Sequence, residues 1–503
     1  METLTRAGFD ELVAAGYNVV PLTATLQLDR ETPVTLYDRL RGRAFFLLES
    51  AALAETTGRY SFVGLDRLWR LTTVGGATVV AGDGAGDGAT TAASPLAELR
   101  ARLGRYRVAP TPGLPDLLGG AVGFVAYDHV RRLERLPGHP GEPPWPEVDF
   151  GFPGAMLVCD HLRHSTTVVA LAVVGDRPEE SYRDARARLA ELVETLLAPA
   201  PAPDALTERL VATAPDQRGS IPVREIAARL SNFTPERYEA VVERARAYIE
   251  DGDVFQVVPS QQFRRPTTVD PLTLYRVLRA LNPSPYMYLI DTGERQLVGA
   301  SPEMLVRVHD GVVSTRPIAG TRPRGATEEE DRALEAEVLT DEKEIAEHVM
   351  LVDLGRNDIG KVAETGSVRV EQLAHVERFS HLMHLVSHVD GRLRAGLDAF
   401  DAFDAVFPAG TLSGAPKVRA MEIIDEFEPT YRGPYGGAVG YFSLTGNADF
   451  AITIRTVALA DGWATVQAGG GVVADSRGPA EYLECLNKAS APLLALEIAD
   501  PSD

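Results

Sequence analysis

Blocks of alternating or continuous apolar residues at "RAFFLLESA" (43–51), "RYSFVGL" (59–65) and "GAMLVCDHLRHSTTVVALAVV" (154–174) predict strands rich in Val, Phe and Leu. Between them, "GGATVVAGDGAGDGATTAASP" (75–95) reads as a loose hairpin or loop. The spacing of "SYRDARARLAELVETLLA" (181–198) predicts an amphipathic helix, after which residues 199–220 shift to Pro and Ala and read as a connection between two halves. A second helix is predicted over 232–253, with Thr234 as N-cap, Pro235 at its first position and Gly252 beyond its end. Strands follow at "VFQVVPSQQF", "YMYLIDT", "QLVGASPEMLVRV" and "GVVSTRPIAG", then a long helix through "EEEDRALEAEVLTDEKEIAEHVMLVDLGRND" with a break at Thr340–Asp341. Strands return at "GGAVGYFSL", "ADFAITIRTVALA" and "WATVQAGGGVVA", and a final helix starts near Pro479. Strands and helices come in blocks without strict alternation, which favours an α+β fold with antiparallel sheets over a doubly wound parallel sheet. The expected division is an N-terminal region over 1–198, a linker over 199–231 and a second domain over 232–496.

Composition narrows the partners. The 503 residues carry 50 basic and 71 acidic side chains, a net charge of −21, which argues against nucleic acid or an anionic membrane as the main partner. A few placed cations still hold a small anion inside an acidic protein. Cys159 and Cys485 are the two cysteines, too few for a disulfide framework or a Cys-based zinc site. "METLTRAGFDELVAAG" lacks the apolar run of a signal peptide, and no stretch approaches the roughly 18 apolar residues of a membrane span. The expectation is a cytoplasmic protein.

Two short stretches raise the chemistry. "KEIAEH" (343–348) and "EYLECLNK" (481–488) each place two glutamates three apart, hence on one helix face: Glu344 with Glu347, and Glu481 with Glu484. Either pair alone reads as ordinary solvated charge. Together they could close around one hard cation such as Mg²⁺, which takes oxygen ligands and leaves room for waters and substrate acids. A zinc reading of "EIAEH" is weaker, because the residue before Glu344 is Lys343 where a nitrogen ligand is needed, and "HLMH" (381–384) makes an awkward pair. "PIAGTRPRG" (317–325), "FPAGTLSGAPK" (407–417) and "QAGGGVV" (467–473) combine glycine turns with cations and exposed backbone N–H groups. The set suggests a small molecule carrying several carboxylates.

The motifs "GDVFQVVPSQQF", "GASPEML", "PIAGTRPRG", "DEKEIAEHVMLVDLGRNDIGKV", "HLMHLVS", "FPAGTLSGAPK", "PYGGAVGYF" and "EYLECLNKA" stand in the order and spacing of the chorismate-utilising enzymes. Over 232–496 the chain resembles the anthranilate synthase large subunits (component I), and its N-terminal half resembles them more loosely through "LLESA" and "GRYSFVG". The resemblance implies an α+β, anthranilate-synthase-like fold of two packed, mostly antiparallel sheets flanked by helices. It implies amination of chorismate at C2, loss of the C4 hydroxyl and elimination of pyruvate. Glu303 matches the family's acid and His384 its base. Glu347 and Glu484 match the Mg²⁺ ligands, with Glu344 and Glu481 close by or bound through water. Lys488 and the backbone of Gly469, Gly470 and Gly471 would help the metal grip the ring carboxylate. Tyr435 and Arg455 would hold the pyruvyl carboxylate, and Gly320 and Thr411 would line the pocket.

Two positions separate this chain from its relatives. Gln256 stands where isochorismate and salicylate synthases carry a water-activating lysine, and Ala319 where aminodeoxychorismate synthases carry a nucleophilic one. Ammonia is therefore the expected nucleophile. The alternative, a 2-amino-2-deoxyisochorismate synthase, stops before pyruvate leaves. "LLES" and "NPSPYM" match the tryptophan feedback site of anthranilate synthases, so Glu49, Ser50, Pro283, Tyr286 and Met287 are the expected inhibitor contacts. Neither cysteine has the glycine-flanked setting of a glutaminase nucleophile, which implies a separate glutamine amidotransferase subunit (anthranilate synthase component II) in a heterotetramer of two large and two small subunits. A non-catalytic, tryptophan-sensing scaffold is the remaining alternative; the presence of Glu303, Glu347, His384 and Glu484 argues against it.

Overall fold

A computed structural model describes residues 4–50, 58–82, 88–89, 94–139, 141–199, 221–325, 327–378 and 382–500. Its apolar strands pair into two antiparallel sheets that share two long members. Tyr60–Val74 and Val148–Asp160 run together, with a register shift between Arg67 and Trp69 that bends both from one sheet into the other. In the first sheet, Tyr60–Val74 takes Ala44–Glu49, and the ladder continues through Tyr286–Asp291, Arg295–Ser301, Thr456–Ala460, Trp463–Gly469 and Ser260–Pro266. On its other side Val148–Asp160 takes Ser165–Val173 and then Val19–Leu26. The second sheet grows from the opposite end of Val148–Asp160 through Gly120–Val125, Ala438–Ser443, Ala448–Ile452, Met304–His309 and Val312–Thr315 to Leu382–Arg392. That last strand also pairs with Ile318–Pro323 and Arg369–Arg378. In each sheet a block of strands from the first half of the sequence thus joins a block from the second, at Ala44–Glu49 with Tyr286–Asp291 and at Gly120–Val125 with Ala438–Ser443.

The main core fills the space between the sheets with Phe46, Trp69, Phe150, Tyr288, Phe403, Phe442 and Phe450. A second core lies on the outer face of the first sheet, beneath Pro178–Leu197, Pro271–Leu281 and Gly478–Ala499. Each buried aromatic or branched side chain contributes about 1.5–3 kcal/mol.

Most predicted elements form where the pattern places them. Thr234 Oγ1 caps the helix Pro235–Glu250 by accepting from Arg237 N, and the long helix breaks into Glu328–Thr340 and Glu342–Gly360. Three predicted strands are interrupted instead. Pro259 divides Gln256–Val257 from Ser260–Pro266, and Pro302 ends Arg295–Ser301 before Met304–His309, since proline donates no ladder hydrogen bond. Between Ala448–Ile452 and Thr456–Ala460 the chain turns through Arg455 at φ 51. Both Glu303 and Arg455 are released from a ladder at these breaks. Of the expected linker, 200–220 lies outside the described residues, and Val223–Leu230 is a helix. The predicted 75–95 hairpin is met by Ala77–Gly82 pairing with Tyr60–Val74; 83–87 and 90–93 lie outside the described residues.

Arg432 and Glu428 form a buried ion pair, with side chains 2% and 4% exposed. Replacing Glu428 by Ala leaves a buried guanidinium without its countercharge, and the expected loss is about 3–5 kcal/mol. A thermal melt should show the apparent Tm of Glu428→Ala falling by several degrees, and further than that of the apolar pair Glu428→Met/Arg432→Met.

Candidate active site

Glu303 follows Pro302 and is held at the start of its strand by the Ile452 amide, which donates to the Glu303 carbonyl. Its carboxylate accepts a 2.9 Å hydrogen bond from Thr411 Oγ1, on the short turn Gly410–Leu412. The two border a cavity of about 50 Å³ with Leu351, Leu354 and Ile452. Burial pushes the carboxyl up to about 7, against the opposing pull of the Thr411 hydrogen bond and the Lys488 charge. A carboxyl in that range carries a proton for donation near neutral pH.

His384 lies on Leu382–Arg392, directly across from Glu377 on one side and Thr321 on the other. Burial pushes its imidazole down to about 4, helped by the Arg455 guanidinium and resisted by Glu377. The ring is therefore neutral and able to accept a proton. Arg455 makes no ion pair among the described residues, and burial lowers its pKa as well; Tyr435 is the charge partner that resists this. A half-buried guanidinium of this kind is a seat for a carboxylate. Tyr435 is itself buried, its hydroxyl close against Gly469.

Gly469–Gly471 brings backbone where side chains would collide. A Cβ on Gly469 would stand 2.5 Å from the Pro259 carbonyl, one on Gly470 3.0 Å from Glu481 Oε2, and one on Gly471 2.5 Å from Gln256 Nε2. Lys488 Nζ donates to the Gly469 carbonyl at 3.1 Å and pairs with Glu484 at 2.7 Å. Gly320, at φ 54, packs against Leu385, the neighbour of His384. Contacts and charge interactions thus run in a chain from Thr411 and Glu303 through Lys488, Gly469, Tyr435 and Arg455 to His384. Of the two discriminating positions, Gln256 stands against Gly471 and Ala319 pairs in register with Leu385, and neither carries a basic nitrogen.

The glutamate pairs lie on two helices, Glu342–Gly360 and Gly478–Ala499, with Glu481 and Glu484 beside Gly470. Glu344 and Glu347 share the face of Glu342–Gly360 that carries Leu351 and Leu354 into the Glu303 cavity. Glu344 is paired with Arg322 at 3.0 Å, while Glu347 and Glu481 are half-buried. The four do not gather into one tight cluster. Among the described residues, the one group of ligand-type side chains with all donor atoms within 4.8 Å is His375, Glu377 and His388. The glutamates nonetheless suit Mg²⁺, since their donors are hard oxygens, Gly470 leaves space beside two of them, and Mg²⁺ needs one or two carboxylates plus water and substrate. His381 of "HLMH" lies outside the described residues.

A separate cavity of about 870 Å³ opens between the sheets and is lined by Glu49, Ser50, Tyr286 and Met287. "LLES" and "NPSPYM" meet there because Glu49 pairs with Met287 across adjacent strands. Tyr275 and Arg279 hold the Glu49 carboxylate. Pro283 is exposed and stands outside the lining, whereas Pro285 is part of it. Sequence reasoning missed Arg316 and the Arg307–Asp449 pair at 2.6 Å, which line these cavities, and Glu377, which strand register sets across from His384. Burial pushes the thiols of Cys159 and Cys485 up to about 12, so neither is an activated nucleophile. No helix among the described residues is long and apolar enough to cross a membrane.

Comparison with known proteins places this pocket in context. The sequence pattern of the chorismate binding enzymes matches residues 45–494. Anthranilate synthase component 1 of Acetivibrio thermocellus is 45% identical over 495 residues, covering 97% of each chain. That of Mycolicibacterium smegmatis is 47% identical over 99% of this chain and 94% of its own. The crystal structure of anthranilate synthase component I from Streptococcus pneumoniae superposes with a TM-score of 0.74 at 37% identity, covering 93% of this chain and 98% of its own.

The Glu303 carboxyl generates a pH prediction. If its protonated form is needed, kcat/KM per unit of free ammonia should fall on the alkaline side of an inflection near 7. The Thr411 hydroxyl favours the carboxylate, so Thr411→Val should raise the pKa further and move that inflection to higher pH. A pH profile of the two proteins checks the direction.

Proposed function

Because the chain belongs to the chorismate binding enzymes, we propose that its pocket is that of an anthranilate synthase large subunit, which converts chorismate and ammonia to anthranilate and pyruvate, the first committed chemistry towards tryptophan. The observation that carries the reading is the pairing, in one pocket, of a protonable Glu303 with a neutral His384 beside Arg455, whose guanidinium has no ion-pair partner among the described residues.

Chorismate is a dianion with a ring carboxylate and a pyruvyl carboxylate. Arg455 and Tyr435 hold the second, while Lys488 and the Gly469–Gly471 backbone approach the first. Ammonia bonds to C2 as the ring double bonds shift and the C4–O bond breaks. Glu303 gives its proton to the departing hydroxyl, which leaves as water. The new ammonium sheds a proton to solvent. His384 then takes the C2 proton as the bond from C3 to the enolpyruvyl oxygen breaks, pyruvate departs and the ring becomes aromatic. Glu347 and Glu484 would hold Mg²⁺, with Glu344 and Glu481 close by, and the ion would supply neutralising charge at the ring carboxylate. Gln256 and Ala319 offer no amine to compete with ammonia.

Ammonia comes from glutamine through a separate glutaminase subunit, a reading supported by the inert setting of both cysteines and by the component 1 names of the relatives. The larger cavity takes tryptophan as a feedback inhibitor. Its support is the adjacency of Glu49, Ser50, Tyr286 and Met287, whose carboxylate and apolar walls match an amino group and an indole.

Mass spectrometry of products from the chain with chorismate, Mg²⁺ and an ammonium salt tests the reaction. Anthranilate and pyruvate are expected; accumulation of 2-amino-2-deoxyisochorismate would overturn the elimination step. His384→Ala should stall elimination by about 10²–10⁴-fold and accumulate that adduct. Glu484→Gln should raise the Mg²⁺ concentration for half-maximal activity at least about tenfold, and an unchanged requirement would remove Glu484 from the metal site.

A further inference from the structure

Two cavities meet at Arg316 and Met304. Arg316 contributes to the wall of the 870 Å³ cavity that holds Glu49, Ser50 and Met287, and to the wall of the 50 Å³ cavity beside Glu303. Its guanidinium is ion-paired with Glu377, and the side chain is only 12% exposed. Its Nε–H is buried and donates no hydrogen bond among the described residues. Glu377 lines neither cavity. It stands directly across from His384 in the pairing of Arg369–Arg378 with Leu382–Arg392, where opposed Cβ atoms lie about 4.5–5.5 Å apart.

His375, Glu377 and His388 have the spacing of a transition-metal site, but the cation there is already present. Arg316 holds Glu377 and acts on His388 with its positive charge. A metal would have to displace a guanidinium seated between the same ligands. Asp390 offers Arg316 a second carboxylate, since it lines the larger cavity and pairs in register with Ser314, two residues before Arg316.

We propose that the Arg316–Glu377 ion pair couples the larger cavity to the His384 pocket. An amino acid whose carboxylate draws Arg316 towards that cavity, where Asp390 and the unused Nε donor favour the turned position, takes the guanidinium from Glu377 and leaves it the 3.0 Å contact with His375. A carboxylate that has lost its guanidinium then stands beside the pocket that must bind the dianion chorismate, and binding of chorismate weakens. By linkage, chorismate weakens the amino acid to the same degree. The inference rests on the reading of the larger cavity as the tryptophan site.

Calorimetry of L-tryptophan binding to the full chain with Mg²⁺, with and without chorismate in ammonia-free buffer, measures the coupling. In the wild type chorismate should raise the tryptophan Kd at least about tenfold. In Glu377→Gln that factor should fall below about threefold, and the Kd in the absence of chorismate should also fall, because the guanidinium no longer leaves a countercharge behind. Arg316→Gln should raise the KM for chorismate about tenfold without any tryptophan, and Glu377→Gln added to it should restore the KM to within about threefold, a rescue that mere loss of packing would not give. A wild-type coupling factor retained in Glu377→Gln, or no rescue in the double variant, would overturn the proposal. No tryptophan binding to the wild type would remove the cavity reading itself, and the coupling with it.

Discussion

The pocket depends on a single buried ion pair. Arg432 reaches from the loop before Tyr435 and donates to Glu428, to the Leu412 carbonyl at 2.6 Å and to the Val258 carbonyl at 2.7 Å. Glu428 in turn accepts from the Ser260 amide and hydroxyl. These contacts fix the turn that presents Thr411, the strand break beside Gly469, and the loop that carries Tyr435. The guanidinium also stacks over Tyr127 and Tyr435, 4.6 and 5.5 Å from the ring centres. Taking two charges out of water costs several kcal/mol each, and only a network that uses nearly every donor and acceptor offsets this. Its return is geometric: segments far apart in sequence are held to hydrogen-bond tolerance at the floor of one pocket.

Burial acts in opposite directions on the two groups that exchange protons there. It favours the neutral form of each, which for Glu303 is the acid and for His384 the base. One dry environment therefore arms a donor and an acceptor together. The polar neighbours trim these shifts: Thr411 and Lys488 restrain Glu303, and Glu377 restrains His384.

Local chemistry was legible in the sequence wherever a side chain acts on its own backbone. The Thr234 cap, the Thr340–Asp341 break and the final helix are all written in short-range pattern. The interruptions at Pro259 and Pro302 carry a plain signal too, yet strand-like flanks mask it. The glutamate pairs, Glu303 and His384 stand out through motif, and the structure adds their surroundings. Glu377 and Arg316 carried no such mark, because their meeting depends on a bulge between Glu371 and His375 that sets strand register. Arg432 and Glu428, four apart, read as an ordinary surface pair until the fold buries them. The joining of the two halves edge to edge in each sheet was equally invisible, since block order along the chain says nothing about which strands become neighbours.

That joining has a consequence during synthesis. Gly120–Val125 has Ala438–Ser443 as its neighbour, and Ala44–Glu49 has Tyr286–Asp291. The first of these edges waits for roughly 300 further residues, or about 15–60 s at ribosomal speeds of ~5–20 residues per second. Throughout that interval an apolar strand with unsatisfied N–H and C=O groups faces the cell, open to any other strand that arrives first. The nascent chain is thus most vulnerable while the ribosome still holds it, and its yield is set by whatever shields that edge until the last quarter of the chain emerges.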